Sequence, residues 1–113
     1  QFYSDGNTLD LLWIQRSGDW MVGVPSDVVL SATMLLCFSS VAALRPGTVK
    51  FIVGDAHVYA DHISDAHKQI KRLPWAPPKY DLKKQADVYS FEPSDLTISS
   101  YKYEDSIKYS VKE

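Results

Sequence analysis

Only one cysteine, Cys37, occurs in the 113 residues. No internal disulfide can form, which fits a reducing compartment, so a cytoplasmic location is the expectation. There is no run of basic residues, and the formal net charge is -2. That combination excludes a broad groove for a nucleic-acid polymer. An anionic ligand must instead be met by a few placed cations rather than by a general field. Asp55, His57, Asp61, His62 and His67 lie close together in the chain, but no zinc-type ligand pattern runs through them, so no metal is expected. The opening Gln1-Phe2-Tyr3 lacks Met, a basic flank and an apolar core. It is no signal peptide; it reads as the middle of a strand, so further chain is expected before it. Internal repeats and low-complexity tracts are also lacking.

What is present is ordinary apolar content in a chain short enough to be one domain, 1–113, with a core of modest size. Gln1 to Tyr3 and Leu9 to Ser17 flank Ser4-Asp5-Gly6-Asn7, a hairpin turn signal. The run Leu9-Asp10-Leu11-Leu12-Trp13-Ile14 is apolar enough to predict a strand buried on both faces. It switches abruptly to the polar Gln15-Arg16-Ser17-Gly18-Asp19, and polar groups presented at a strand end are a common way to build a site.

Gly23-Val24-Pro25-Ser26-Asp27 leads into a long helix, with Ser26 or Asp27 as the expected cap and Arg45-Pro46-Gly47 as the stop. Val28 to Leu44 falls at the short end of the roughly 17–25 residues that span a bilayer. It carries Ser31, Thr33, Ser39 and Ser40 and lacks an aromatic belt, so it is read as a buried central helix and no membrane is expected. Thr48 to Val53 is a second apolar strand. Tyr59, Ile63, Ala66, Ile70 and Leu73 then recur at helical spacing until Pro74, Pro77 and Pro78. Tyr80 to Leu82, Val88 to Phe91 and Leu96 to Tyr101 are short strand-like runs. The fold class is α+β: a mixed sheet with a long buried helix packed against it.

Three segments together resemble the thymidylate synthase family. Gln15-Arg16-Ser17-x-Asp19-x-x-x-Gly23-x-Pro25 is similar to its Gln-Arg-Ser-x-Asp-x-x-x-Gly-x-Pro signature. Gly54-Asp55-Ala56-His57-Val58-Tyr59-x-x-His62 is similar to its Gly-Asp-x-His-x-Tyr-x-x-His segment. Tyr101 and Ile107-Lys108 sit as in the family's last strand and terminus. The likeness runs from Gln1 to Glu113 nearly without gaps, as the C-terminal part of a single domain.

The resemblance implies roles that suit the chemistry of each residue. Arg16 and Ser17 would hold the 5′-phosphate of a pyrimidine deoxynucleoside monophosphate, through a planar fork and a hydroxyl; an isolated Arg16 would more simply pair with a carboxylate. His57 and Tyr59 would meet the deoxyribose 3′-hydroxyl, both able to donate or accept. Two positions apart on a strand, they would face one side; the alternative is a histidine satisfied inside a core. Gln15 and Asp19 would line the base and folate side of the pocket, Gly23 and Pro25 its wall, with Asp19 and Gly23 toward the cofactor, 5,10-methylenetetrahydrofolate. Trp75 is read as packing or site.

Asp27 departs from the family pattern, where an asparagine usually reads uracil through N3–H and O4. A carboxylate accepts from the N4–H₂ of cytosine and opposes the O4 of uracil, and such site-built bonds discriminate by up to roughly 10⁴–10⁵. The same exchange marks deoxycytidylate hydroxymethylases, so dCMP is favoured, against the competing role of helix cap. Ser26 replaces a usual aromatic, and the tail Ser110-Val111-Lys112-Glu113 is polar where synthases end apolar. The family's nucleophilic cysteine lies upstream of Gln1, and Cys37, mid-helix in an apolar run, reads as a buried small hydrophobe. No catalytic residue is therefore expected in this chain, and these residues alone should not turn over. The expected activity of the intact protein is one-carbon transfer to C5 of dCMP by a homodimer. A synthase acting on dUMP and a non-catalytic nucleotide-binding relative remain as alternatives.

Overall fold

A computed structural model describes residues 1–111. The fold begins with an antiparallel hairpin, β1 (Phe2–Ser4) and β2 (Thr8–Asp19). Its turn is held by one carboxylate: Asp5 Oδ1 accepts the amides of Asn7 and Thr8 at 2.8 and 2.7 Å. Gly6 sits there at φ +91°, in the left-handed region that a side chain would resist.

β2 is followed by α1 (Gly23–Val41) and then by β3 (Arg45–His57), which pairs parallel to β2. The sheet order is β1-β2-β3. Parallel neighbours need a long crossover, and α1 supplies it while packing on one sheet face. A second, antiparallel pair joins β4 (Lys79–Leu82) to β5 (Leu96–Ser99). Between β3 and β4 lie a 3₁₀ turn (Ala60–His62) and α2 (Ile63–Gln69), and two further 3₁₀ turns fall between β4 and β5. The architecture is mixed α+β, as the sequence pattern implies.

The core forms where α1 meets the sheet. Leu9, Leu11 and Leu35 are buried, with Phe2, Trp13, Phe38, Leu44 and Val49 packed around them. Phe2 stacks on Phe38 at 4.6 Å.

Several boundaries differ from expectation. β2 is covered on one face only: Leu9 and Leu11 point at α1, while Ile14 and, across the ladder, Ile52 are exposed. α1 buries a single stripe, Val24, Ser31, Leu35 and Ser39, and leaves Val28, Val29 and Leu30 exposed. By length and composition it could cross a membrane; here its buried stripe carries two serines and rests on the sheet.

Arg45-Pro46-Gly47 does not stop α1. The helix ends at Val41, the chain reverses through Ala43 at φ 56°, and those three residues open β3. α2 ends at Gln69, so the apolar stripe read through Ile70 and Leu73 is not buried against anything. Val88–Ser90 is a 3₁₀ turn capped by Asp87, not a strand: the Asp87 carboxylate accepts two amides that a ladder would need. β5 stops at Ser99, so Tyr101 lies outside any strand. Cys37 is half-buried rather than buried. Desolvation, with Asp95 adding to it, pushes its thiol up, which keeps it unreactive.

Candidate nucleotide site at the ends of the parallel strands

The polar motif residues gather at the carboxyl ends of β2 and β3, the end of parallel strands where open α/β sheets present ligands. Ser17 pairs with Asp55 and Asp19 with His57 in the parallel ladder. Trp20 N–H donates to the His57 carbonyl at 3.0 Å and closes the ladder.

Gly18 reveals how β2 turns its side chains here. A Cβ on Gly18 would meet Val24 Cγ2 at 2.7 Å, Val53 Cγ1 at 3.2 Å and Gln15 Nε2 at 3.4 Å. Gln15 and Gly18 thus both face α1, although residues three apart on a regular strand face opposite sides. The ladder with β3 nevertheless keeps one register from Leu11 to Asp19. Arg16 is exposed there and Ser17 half-buried.

Two linked groups result. On the α1 side, Gln15 Nε2 donates to Asp27 Oδ2 at 2.7 Å and to the Ser17 carbonyl at 2.9 Å, while Trp13 Nε1 donates to Gln15 Oε1 at 3.1 Å. In the second group, Ser17 Oγ donates to Asp55 Oδ2 at 3.3 Å. His57 Nδ1 lies 3.3 Å from the Asp55 carbonyl and 3.6 Å from its Oδ2. Two acceptors on that nitrogen favour the Nδ1–H tautomer, with the Nε2 lone pair left without a partner among the described residues. Tyr59 lies beyond β3, so no strand aligns it with His57. The two rings nevertheless meet edge to face at 5.3 Å.

Asp27 is not a cap. α1 starts at Gly23 after Val22, which makes no side-chain cap bond. Asp27 lies one turn inside, its carboxylate given to Gln15. Pro25 sits in the first turn, where an amide hydrogen would have no helical partner.

Arg16 is exposed and makes no hydrogen bond or ion pair among the described residues. Asp19 Oδ1 accepts the Met21 amide at 2.9 Å, and Trp20 stands half exposed beside it. Gly23 is open: the nearest atom to an added Cβ is Asp27 Oδ2 at 3.9 Å. Trp75 is neither core nor part of this group; it is exposed, with Lys102 Nζ 5.4 Å above its ring.

Together these residues form an open ledge among the described residues. A cavity of about 620 Å³ lies elsewhere, between the end of α2 and residues 101–107. No group of three or more His, Cys, Asp or Glu side chains among the described residues is placed to hold a metal. Asp55, which joins Ser17 to His57, stands in the Gly-Asp-x-His segment of the sequence but was given no role in the site there. Its place beside both rests on a strand pairing that spacing does not reveal.

A family model described as thymidylate synthase matches residues 1–113. The chain belongs to the thymidylate synthase family. The chain is 32% identical over 103 residues to a thymidylate synthase of Mycoplasma genitalium, covering 91% of this chain and 36% of that protein. It is 29% identical over 108 residues to one from Mycoplasma pneumoniae, covering 96% of this chain and 38% of that protein. Thymidylate synthase homologues are transferases, and this chain spans little more than a third of the length of these relatives.

Proposed function

We propose that these residues form the C-terminal part of a single-domain enzyme that transfers a one-carbon unit from 5,10-methylenetetrahydrofolate to C5 of a pyrimidine deoxynucleotide, with dCMP as the substrate and 5-hydroxymethyl-dCMP as the product. The observation that carries the choice of base is the Gln15–Asp27 bond. Gln15 donates to one Asp27 oxygen, so the carboxylate is held as an acceptor, with its other oxygen available for a donor such as cytosine N4–H₂. A carbonyl such as O4 of uracil would meet only acceptors there.

Arg16 is the phosphate cation in this reading. Its guanidinium has no competing partner among the described residues, and Ser17 follows it directly in the chain. A phosphate would thus find a fork and a hydroxyl together. His57 Nε2 accepts from the 3′-hydroxyl while Asp55 orients the ring, and Tyr59 supplies the second contact. Asp19, with one oxygen engaged by Met21, and the half-exposed Trp20 suit a flat ring rich in N–H groups, and open Gly23 lets such a ring approach. When bound there, the folate supplies the one-carbon unit. The nucleophile that attacks C6 lies outside these residues, so they bind and orient.

Tyr3, Ile14 and Ile52 are exposed on the sheet face away from α1. An apolar sheet face of this kind supports a homodimer formed sheet on sheet, with Arg16 at its border.

Turnover of dCMP and dUMP by the full-length protein with 5,10-methylenetetrahydrofolate tests the reading. Faster turnover of dCMP is expected. Faster turnover of dUMP would overturn the cytosine assignment and leave a thymidylate synthase. Binding of nucleotide without turnover of either would leave a non-catalytic relative.

A further inference from the structure

The last described residues reach back to the ledge. Tyr109 packs edge-on against His62, with ring centroids 5.2 Å apart at 66°. His62 packs against Tyr59 at 5.8 Å and 75°, and Tyr59 against His57 at 5.3 Å and 85°. Four rings thus run without a gap from the C-terminal segment to the residues that face the ligand.

A hydroxyl fixes the middle of this row. Ser110 Oγ donates to Asp61 Oδ2 at 3.3 Å and lies 3.2 Å from His62 Nε2. With its one hydrogen given to Asp61, the hydroxyl accepts from His62, so His62 carries its proton on Nε2. His62 is 3% exposed, and its Nδ1 finds no partner among the described residues; neither does the Tyr109 hydroxyl. Both are buried polar atoms left unbonded, which is unfavourable. Arg72 ties the chain just before it, through Glu104 and the Asp105 carbonyl; Tyr109 and Ser110 themselves are held by ring contacts and the Ser110 bridge, not by the phenol.

Tyr59 needs such support. It lies between β3 and the 3₁₀ turn, and its side chain makes no hydrogen bond among the described residues. Its two ring neighbours are His57 and His62.

We propose that Tyr109, Ser110 and His62 are positioning residues for Tyr59, so that the C-terminal segment sets recognition of the deoxyribose 3′-hydroxyl. This rests on the reading of His57 and Tyr59 as the ribose pair. A single edge-to-face contact is worth about two- to tenfold in an equilibrium, and that is the size of effect to look for.

The test is the affinity of the full-length protein for dCMP and for 2′,3′-dideoxycytidine 5′-monophosphate, which lacks the hydroxyl. The unaltered protein should prefer dCMP. Tyr109→Ala should cut that preference about three- to tenfold by weakening dCMP alone. Tyr109→Phe should keep it, because the phenol has no partner to lose. Ser110→Ala should lower the preference and Ser110→Thr restore it; these two serve if Tyr109→Ala does not fold. An intact preference in both Tyr109→Ala and Ser110→Ala, or an equal loss for both ligands, overturns the positioning role alone. No preference in the unaltered protein overturns the ribose reading and this proposal with it.

Discussion

Gln15 and Asp27 are joined by a 2.7 Å hydrogen bond across the junction of β2 and α1, and the same Gln15 nitrogen also holds the Ser17 carbonyl. One amide therefore ties the residue proposed to read the base to the strand that carries the phosphate residues.

Asp27→Asn exchanges an all-acceptor group for one that both donates and accepts. The ratio of kcat/KM for dCMP to that for dUMP should fall by about a hundredfold or more, inside the ~10⁴–10⁵ that site-built hydrogen bonds reach. Paired kinetics with the two nucleotides measure it; an unchanged ratio removes Asp27 from base selection.

Arg16→Ala deletes an exposed side chain without a protein partner, so the urea midpoint should stay where it is. The nucleotide KM should rise by about 10- to 100-fold, the size of one or two charge-assisted hydrogen bonds. Binding of the corresponding nucleoside should be untouched. Equal losses for nucleoside and nucleotide would refute a phosphate role.

Gly18→Ala places a methyl group 2.7 Å from Val24 Cγ2, and Val24 is buried and β-branched, with little freedom to yield. Destabilisation by about 1–3 kcal/mol is expected from overpacking. Adding Val24→Ala should recover part of it, giving a non-additive pair in a denaturation cycle. Additive losses would mean that the two sites do not meet.

Asp95 accepts the Glu92 amide at 3.0 Å and Gln85 Nε2 at 2.8 Å, with Lys83 Nζ 3.5 Å away. The bond from the Glu92 amide, then Gln85, holds its carboxyl below the ordinary 3.8. A lowered folded value favours the folded state above the ordinary value. That contribution is lost progressively as pH falls below 3.8, through the folded value. Unfolding midpoints followed downward from neutral pH should drop more for the parent than for Asp95→Asn. Parallel curves would exclude Asp95 as a source of acid sensitivity.

The hairpin turn was legible because its determinants are local: Asp5 caps amides two and three residues on, and Gly6 takes the left-handed backbone. The two apolar strands and the helix between them were legible for a similar reason, since apolar runs of that length leave few alternatives; their parallel pairing was not. What escaped were features set by distant partners. Pro46 and Gly47 read as a helix stop, yet both lie in β3, where Pro46 pairs with Leu9, because Leu44 and Val49 are drawn into the core. Ile70 and Leu73 kept helical spacing without a surface to bury against, so spacing alone did not extend α2. In the site, residue types were readable from the motifs. The close fit of Gly18 against Val24 and the pairing of Asp55 with Ser17 were not, because both depend on which atoms the fold sets opposite each other.

The ladder between β2 and β3 joins residues such as Ser17 and Asp55, 38 positions apart, whereas the β1–β2 turn closes over four residues. Distant pairing must meet its loop-closure entropy before it gains contacts. The hairpin is therefore expected to assemble early and the parallel edge late. Amide hydrogens near His57 should be among the last to gain protection during refolding, so a half-folded chain would have no means of holding a nucleotide.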